Sequence, residues 1–251
     1  MIPIKSAREI ALIEASGKLL GSILEAVQTQ VRPGATTGYL NDWIEQRIVQ
    51  GGARPSFKGY RGFPAAACIS VNEEVVHGIP SHERALKEGD IVGIDVGTCM
   101  RGYHADAART YAVGEVSDLA KRLIESARNG FFEGITRAVA GGRVGDIGNA
   151  VQRAVERDGF SVVRALTGHG IGGNVHEEPD IPNFGKPGKG PRLRAGMVLA
   201  VEPMVNAGGY EVKMLGDGWT VVTQDASLSA HYENTIAVTE EGEPIILTLA
   251  E

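Results

Sequence analysis

The sequence predicts an α/β (α+β) fold: one domain over 1–251, made of two similar αβ halves, about 1–115 and 116–251, related by an approximate twofold and sharing one sheet. Three observations predict it. The order helix, glycine-rich turn, helix and then strands occurs twice. Leu86-Lys87-Glu88-Gly89-Asp90-Ile91-Val92 is similar to Leu193-Arg194-Ala195-Gly196-Met197-Val198-Leu199 at an offset of 107. Gly34 and Gly142, like Trp43 and Val151, are offset by 108. Chance similarity among common residue types is the alternative, and two copies are too few for a solenoid.

The first element is a helix. Ser6-Ala7-Arg8-Glu9 has capping-box spacing, in which hydroxyl and carboxylate each take up a free N–H. Ile10, Ile13, Gly17, Leu20, Leu24 and Val27 follow at steps of three and four as one apolar stripe, and Pro33-Gly34 ends the segment. A second helix follows Thr37, with Leu40, Trp43, Ile44 and Ile48 on one face and Gly51-Gly52 as its stop. Ala66–Val71 and Asp90–Thr98 read as strands, Cys99–Gly102 as a turn and Tyr103–Val113 as the returning strand. The pattern then restarts. Ser117 opens a helix through Leu123, Ile124, Ala127, Phe131, Ile135 and Val139, broken by Gly141-Gly142. A fourth helix, with Ile147, Ala150, Val151, Ala154 and Val155, stops at Gly159, and strands resume at Ser161.

Composition excludes several classes. Apolar residues make up 43%, charged residues 22%, and the net charge is −6, the balance of an ordinary soluble globular protein. No apolar run approaches the ~18 residues of a membrane span, and MIPIKSAREI lacks the apolar stretch of a signal peptide. Two cysteines, Cys68 and Cys99, cannot form a disulfide framework, so a reducing, cytoplasmic setting is expected. Without a block of five or six like charges, no specific nucleic-acid partner is expected.

The informative feature is acids in apolar strands. Asp95 sits in Ile91-Val92-Gly93-Ile94-Asp95-Val96-Gly97, and Glu202 sits in Met197-Val198-Leu199-Ala200-Val201-Glu202-Pro203. They are the matched positions of the two halves, 107 apart. A buried carboxylate persists only if it is paired, hydrogen-bonded or bound to metal. Asp106 falls on the returning strand, His169 among small neighbours in Thr167-Gly168-His169-Gly170-Ile171-Gly172, and Glu233 just before a β-branched run. Four carboxylates and one imidazole suit hard or borderline divalent ions. Two such ions would balance the four negative charges, as in two-metal hydrolases. Separate structural acids are the other reading. His77 and His176 stand beside turns, where a histidine is either a surface or capping residue or a substrate-binding one.

At these residues the chain closely resembles methionine aminopeptidases of the type I, bacterial-like class. The resemblance spans essentially the whole chain: Ser70-Val71-Asn72 through His77-Gly78-Ile79-Pro80, Asp95 and Asp106, and Gly168-His169-Gly170-Ile171-Gly172. It continues through His176-Glu177-Glu178-Pro179, Glu202-Pro203-Met204, Asp217-Gly218-Trp219-Thr220 and Ser227-Leu228-Ser229-Ala230-His231-Tyr232-Glu233-Asn234-Thr235. It implies the pita-bread fold, two pseudo-twofold-related αβ halves around a shared, mostly antiparallel curved sheet, with a dinuclear site between them.

The resemblance implies roles as well. Asp95, Asp106, His169, Glu202 and Glu233 would hold two divalent ions per chain (Co, Mn, Fe(II) or Zn), Asp106 and Glu233 bridging them. A hydroxide between the ions would attack the first peptide bond, with Glu202 as proton shuttle, His176 on the carbonyl oxygen and His77 near the peptide nitrogen. Tyr60, Phe63, Cys68 and Trp219 would line a methionine pocket; ordinary core packing is their other reading. The substrate would be the N-terminal Met of nascent polypeptides with a small second residue, met as a monomer in transient contact with the ribosome. Ile2 is bulky, so the same rule implies that this chain keeps Met1.

The 31 residues between Glu202 and Glu233 leave no room for the helical insertion of type II members. The sequence is also expected to lack the zinc-finger extension of some relatives and the added N-terminal domain of X-Pro dipeptidases. Departures are Val175 in place of an aromatic, expected to widen the pocket mouth, and Phe57 and Val76 where many bacterial members have cysteine. His231 replaces a frequent glutamine and is expected to alter metal affinity or hydrogen bonding around Glu233. An X-Pro-cleaving peptidase would differ in substrate profile; non-catalytic binding modules of this fold usually lose ligands that all stand here.

Overall fold

In the computed structural model, which describes residues 2–250, α1 (Ala7–Val27) starts on the expected capping box. Met1, on which the retention rule bears, lies outside the described residues. Ser6 Oγ accepts from Glu9 N at 3.4 Å, and Glu9 Oε2 accepts from Ser6 N at 2.8 Å. The buried face of α1 carries Ile13, Gly17, Leu20, Leu24 and Val27, with Ile10 half-buried at its margin. In α2 (Thr37–Gln50) the cap is Thr36, whose Oγ1 accepts from Tyr39 N at 3.1 Å.

α3 (Asp118–Ile135) and α4 (Val144–Arg157) repeat the arrangement. α3 stops a turn earlier than the periodicity predicts. Arg137 N and Ala138 N donate to Gly134 O and Ile135 O, so the chain tightens after a glycine, a weak helix former. The apolar period outlasts the helix because Ala138 still packs into the same core.

The offset of the repeat is written into the backbone. α2 and α4 are 107 residues apart at both ends. Gly34 N donates to Leu86 O at 2.8 Å and Leu86 N to Ala35 O at 2.8 Å. In the second half, Gly141 N donates to Leu193 O at 2.9 Å and Leu193 N to Gly142 O at 2.8 Å. Gly34 therefore matches Gly141, and the offset of 108 read from the helices is corrected to 107.

All strand pairs are antiparallel among the described residues. The longest hairpin joins Ile91–Met100 to Tyr103–Ala112. Its turn is only Arg101-Gly102, both at positive φ (52° and 85°), so Cys99 and Met100 continue the ladder against His104 and Tyr103. Ala67–Val71 and Arg54–Pro55 complete a four-stranded sheet. A five-stranded sheet runs in the order Ile245–Ile246, Asn234–Ala237, Val198–Val201, Thr167–Gly170, Glu177–Pro182. The two meet at the centre, where Ala108 N donates to Glu233 O at 3.3 Å and Glu233 N to Ala108 O at 3.0 Å. Two three-stranded ribbons complete the strand inventory. Each helix pair has its own apolar core, leaving the junction of the large sheets for polar groups.

Gly17 shows how closely α1 is seated. A Cβ there would stand 2.1 Å from Leu247 O, a backbone atom. In an ordinary helix interior, Ala is favoured over Gly by about 1 kcal/mol. Here we expect Gly17→Ala to lower the unfolding free energy by about 1–3 kcal/mol in urea titrations; a neutral or stabilised variant contradicts this packing.

Candidate metal centre

The long hairpin sets two aspartates on one face. Asp95 pairs with Ala108 and Gly97 with Asp106, so the two acids are diagonal neighbours across the ladder. Thr235 fixes Asp106 from the other sheet: its Oγ1 accepts from Asp106 N at 2.9 Å and donates to Asp106 O at 2.8 Å. From the second half, Glu202 follows the strand Val198–Val201 and Glu233 precedes Asn234–Ala237. Val201 pairs with Asn234, which brings the two glutamates side by side. Arg109 holds Glu233 through the backbone, Nη1 donating to Glu233 O at 2.5 Å and Nη2 to Asn234 Oδ1 at 2.7 Å.

His169 lies on Thr167–Gly170, opposite Ala200. Gly168 beside it makes room for Glu202, since a Cβ there would meet Ala200 O at 2.3 Å and Glu202 Cγ at 3.3 Å. His169 Nδ1 donates to Gly170 O at 2.8 Å, which leaves Nε2 as the free lone pair. Nε2 is 3.7 Å from Glu202 Oε1 and 3.9 Å from Asp106 Oδ2.

Every residue singled out from the sequence for catalysis, metal or substrate lines one cavity of about 150 Å³, which Phe57 and Arg61 also line. A larger groove of about 680 Å³ lies along α3 and α4, but it contains none of the buried acids and no histidine. His176 stacks on Tyr60 with ring centres 5.1 Å apart, and its Nδ1 lies 2.9 Å from the Tyr60 hydroxyl. His77 has φ 60°, a left-handed conformation that costs a side-chain-bearing residue about 1–3 kcal/mol, and meets Trp219 edge-on at 6.2 Å. Phe63 packs edge-on against Trp219 at 5.1 Å. Cys68 stands opposite Asp95 on the neighbouring strand. Val175 is buried in an apolar cluster with Phe57, Phe63, Ala65 and Cys68 and does not line the cavity itself.

Sequence reasoning missed Arg109 and Thr235. Arg109 carried a usable signal, a charge in the small and apolar run Ala105–Thr110, the same argument that found Asp95. Thr235 carried none.

The electrostatics are severe. Asp106 and Glu233 are buried, and Glu202 nearly so. Among the described residues no lysine or arginine forms an ion pair with any of the four acids; only histidines approach them. Asp95 Oδ1, Asp106 Oδ1 and Glu233 Oε1 are buried without a hydrogen-bond partner. Each such atom costs about 1–3 kcal/mol or more unless something satisfies it. Divalent cations would satisfy all of them at once, and the donors group accordingly: Asp106, His169 and Glu233 present ligand atoms within 4.8 Å of one another, as do Asp95, His231 and Glu233. The residues present therefore fit divalent metal.

The same burial fixes a pH dependence. It raises Asp95 to about 7. Asp106, Glu202 and Glu233 also rise well above the carboxylate range, first by burial and then by the neighbouring acids. Groups raised on folding stabilise fully below their unfolded values, near 4, and lose that contribution as pH rises through the folded values. Burial pulls His169 and His231 down to about 4 and 3, so their effect lies below pH ~6.5. In EDTA the melting temperature should therefore fall as pH rises from about 6.5 through 7, and a divalent ion should raise it more at the upper end of that window. A metal-free melting temperature that is flat or rising across this window contradicts the reading.

The sequence matches metallopeptidase family M24 over residues 11–240. The chain is 56% identical to a methionine aminopeptidase of Clostridium perfringens over 250 residues, covering 99% of each. It is 48% identical to methionine aminopeptidase 1 of Bacillus subtilis, over 98% of this chain and 99% of that one. The crystal structure of methionine aminopeptidase from Thermotoga maritima superposes with a TM-score of 0.97 at 44% identity, covering 99% of this chain and 100% of that one. Prolidase from Pyrococcus furiosus, at 22% identity and a TM-score of 0.80, shares the fold alone, this chain spanning 66% of it. With the family match, the full-length relatives and the superposed pita-bread fold in agreement, this chain belongs to metallopeptidase family M24, in its methionine aminopeptidase branch.

Proposed function

We propose that this chain removes N-terminal methionine from nascent polypeptides with a small second residue, using two divalent ions held by Asp95, Asp106, His169, Glu202 and Glu233. The observation that carries this reading is a cluster of four carboxylates, three with an orphaned buried oxygen and none paired with a lysine or arginine among the described residues, in a cavity whose other wall is apolar. Two divalent ions balance four ionised acids, whereas one would leave the cavity strongly anionic. The ligand chemistry suits Mn, Fe(II), Co or Zn.

When bound, the ions supply Lewis acidity to the scissile carbonyl and to the attacking water. The chain's own groups do the rest. Glu202, which lines the cavity beside the other acids, is placed to take the proton from the water and pass it to the leaving amine. Asn183 Nδ2 donates to Glu202 O at 2.9 Å and steadies it. His176 is neutral near pH 7: although the residue is exposed, desolvation against the pocket, and then His169, Arg61 and His77, hold it below its ordinary value. With the Tyr60 hydroxyl donating to Nδ1, Nε2 would keep the proton and serve the carbonyl oxygen as negative charge develops. Phe57, Phe63, Cys68 and Trp219 form a wall suited to an unbranched thioether. His77 and Trp219 crowd the same cavity, which supports a small second residue and His77 on the peptide nitrogen. Buried free thiols at Cys68 and Cys99 support action in a reducing cytoplasm.

The test is initial-rate cleavage of Met-Ala-Ser and Met-Leu-Ser by metal-stripped protein with Mn, Fe(II), Co or Zn restored, against an EDTA control. Methionine should be released only with metal, and from the first peptide only. No release with any ion, or cleavage confined to X-Pro peptides, would sink the reading. His176→Ala should lower kcat by about 10²–10³-fold. Tyr60→Phe should lower it by about tenfold, as loss of an orienting partner does.

A further inference from the structure

His231 is a buried histidine to which the reading above gives no task. It ends the strand Ser229–His231, paired with Met204, and its side chain is 4% exposed. Its Nε2 has no hydrogen-bond partner. That atom points into the acid cluster, 3.8 Å from Glu202 Oε2 and 3.8 Å from Glu233 Oε2. These separations are too long for hydrogen bonds. They suit two donors on one ion, which stand at most about 4.2 Å apart when bonds are about 2.1 Å. His169 Nε2 stands at similar distances from Glu202 and Asp106, 3.7 and 3.9 Å.

The internal repeat gives an independent reason. In the returning strands, Val113 and Val238 make matched bonds: Val113 N donates to Asp90 O and Val238 N to Met197 O, and Asp90 and Met197 are 107 apart. Val113 and Val238 are 125 apart, as are Ala108 and Glu233. Carried along the strands, the same offset sets Asp106 against His231. His231 thus occupies in the second half the place that Asp106, a ligand on the proposed reading, occupies in the first.

We propose that His231 is a sixth metal ligand, its Nε2 binding the ion held by Asp95 and Glu233, so that each of the two ions carries one imidazole. This rests on the two-ion reading above. An ion bound by oxygen alone would favour hard cations; an imidazole at both positions moves the pair toward Fe(II), Co and Zn, and brings their affinities together. Glutamine at this position would offer only an amide, a weaker ligand for those ions.

The experiment uses cobalt(II) alone as probe, added to metal-free full-length protein and followed by calorimetry and cobalt X-ray absorption. Wild type should bind two cobalt ions with dissociation constants within about tenfold of each other, and the absorption fine structure should show one imidazole per cobalt. His231→Gln should weaken one of the two sites by at least about tenfold and halve the imidazole count. The wild-type count needs no variant to fold, so it decides the question even if His231→Gln is unstable. Two cobalt ions with half an imidazole each, or a variant unchanged in affinity and scattering, overturns the assignment of His231 alone. A single cobalt in the wild type overturns the two-ion reading, and this inference with it.

Discussion

Four carboxylates share one cavity, and among the described residues no lysine or arginine forms an ion pair with them. An unpaired buried charge costs several kcal/mol, so an apo cavity of this kind works against folding. The surrounding chain answers by fixing the acids from behind. Arg109 gives its donors to carbonyl and amide oxygens, and Thr235 grips both backbone atoms of Asp106. The charges are thus positioned without being neutralised. Divalent cations would complete such an arrangement and satisfy the orphaned oxygens of Asp95, Asp106 and Glu233.

The repeat explains why the cluster sits where it does. Each half packs its helices on its own apolar core, and the two large sheets are joined by the reciprocal bonds of Ala108 and Glu233. Residues near that seam are repeated across it, so an acid at Asp95 is met by one at Glu202. Chemistry on a peptide needs a direction, and the symmetry is broken by an apolar wall on one side. Tyr60, Phe63, Cys68 and His77 come from the first half, with Trp219 and His176 closing over them from the second.

Much of this was legible in the sequence because burying a charge leaves a local mark. Asp95 and Glu202 stand out within apolar strands, and the offset of 107 ties them together. The capping box of α1 and the glycine stops of the helices are equally local signals. Where the reading slipped, a local rule met a tertiary one. α3 ends at Ile135 because the chain tightens after Gly134, although Ala138 keeps the apolar period alive. The hairpin turn shrinks to Arg101-Gly102 because two positive-φ residues suffice to reverse the chain. Thr235 was illegible, since its partner Asp106 lies 129 residues away. His231 was visible only as a departure, and its meaning depends on a donor atom that the fold aims at Glu202 and Glu233.

The most direct test of the account is an anomalous difference map from crystals grown with Mn(II). The account predicts two peaks about 3.5–4 Å apart, enclosed by Asp95, Asp106, Glu202 and Glu233, with His169 on one of them. A single fully occupied peak, or ions bound outside that cluster, would contradict the claim that the buried acids exist to hold a metal pair.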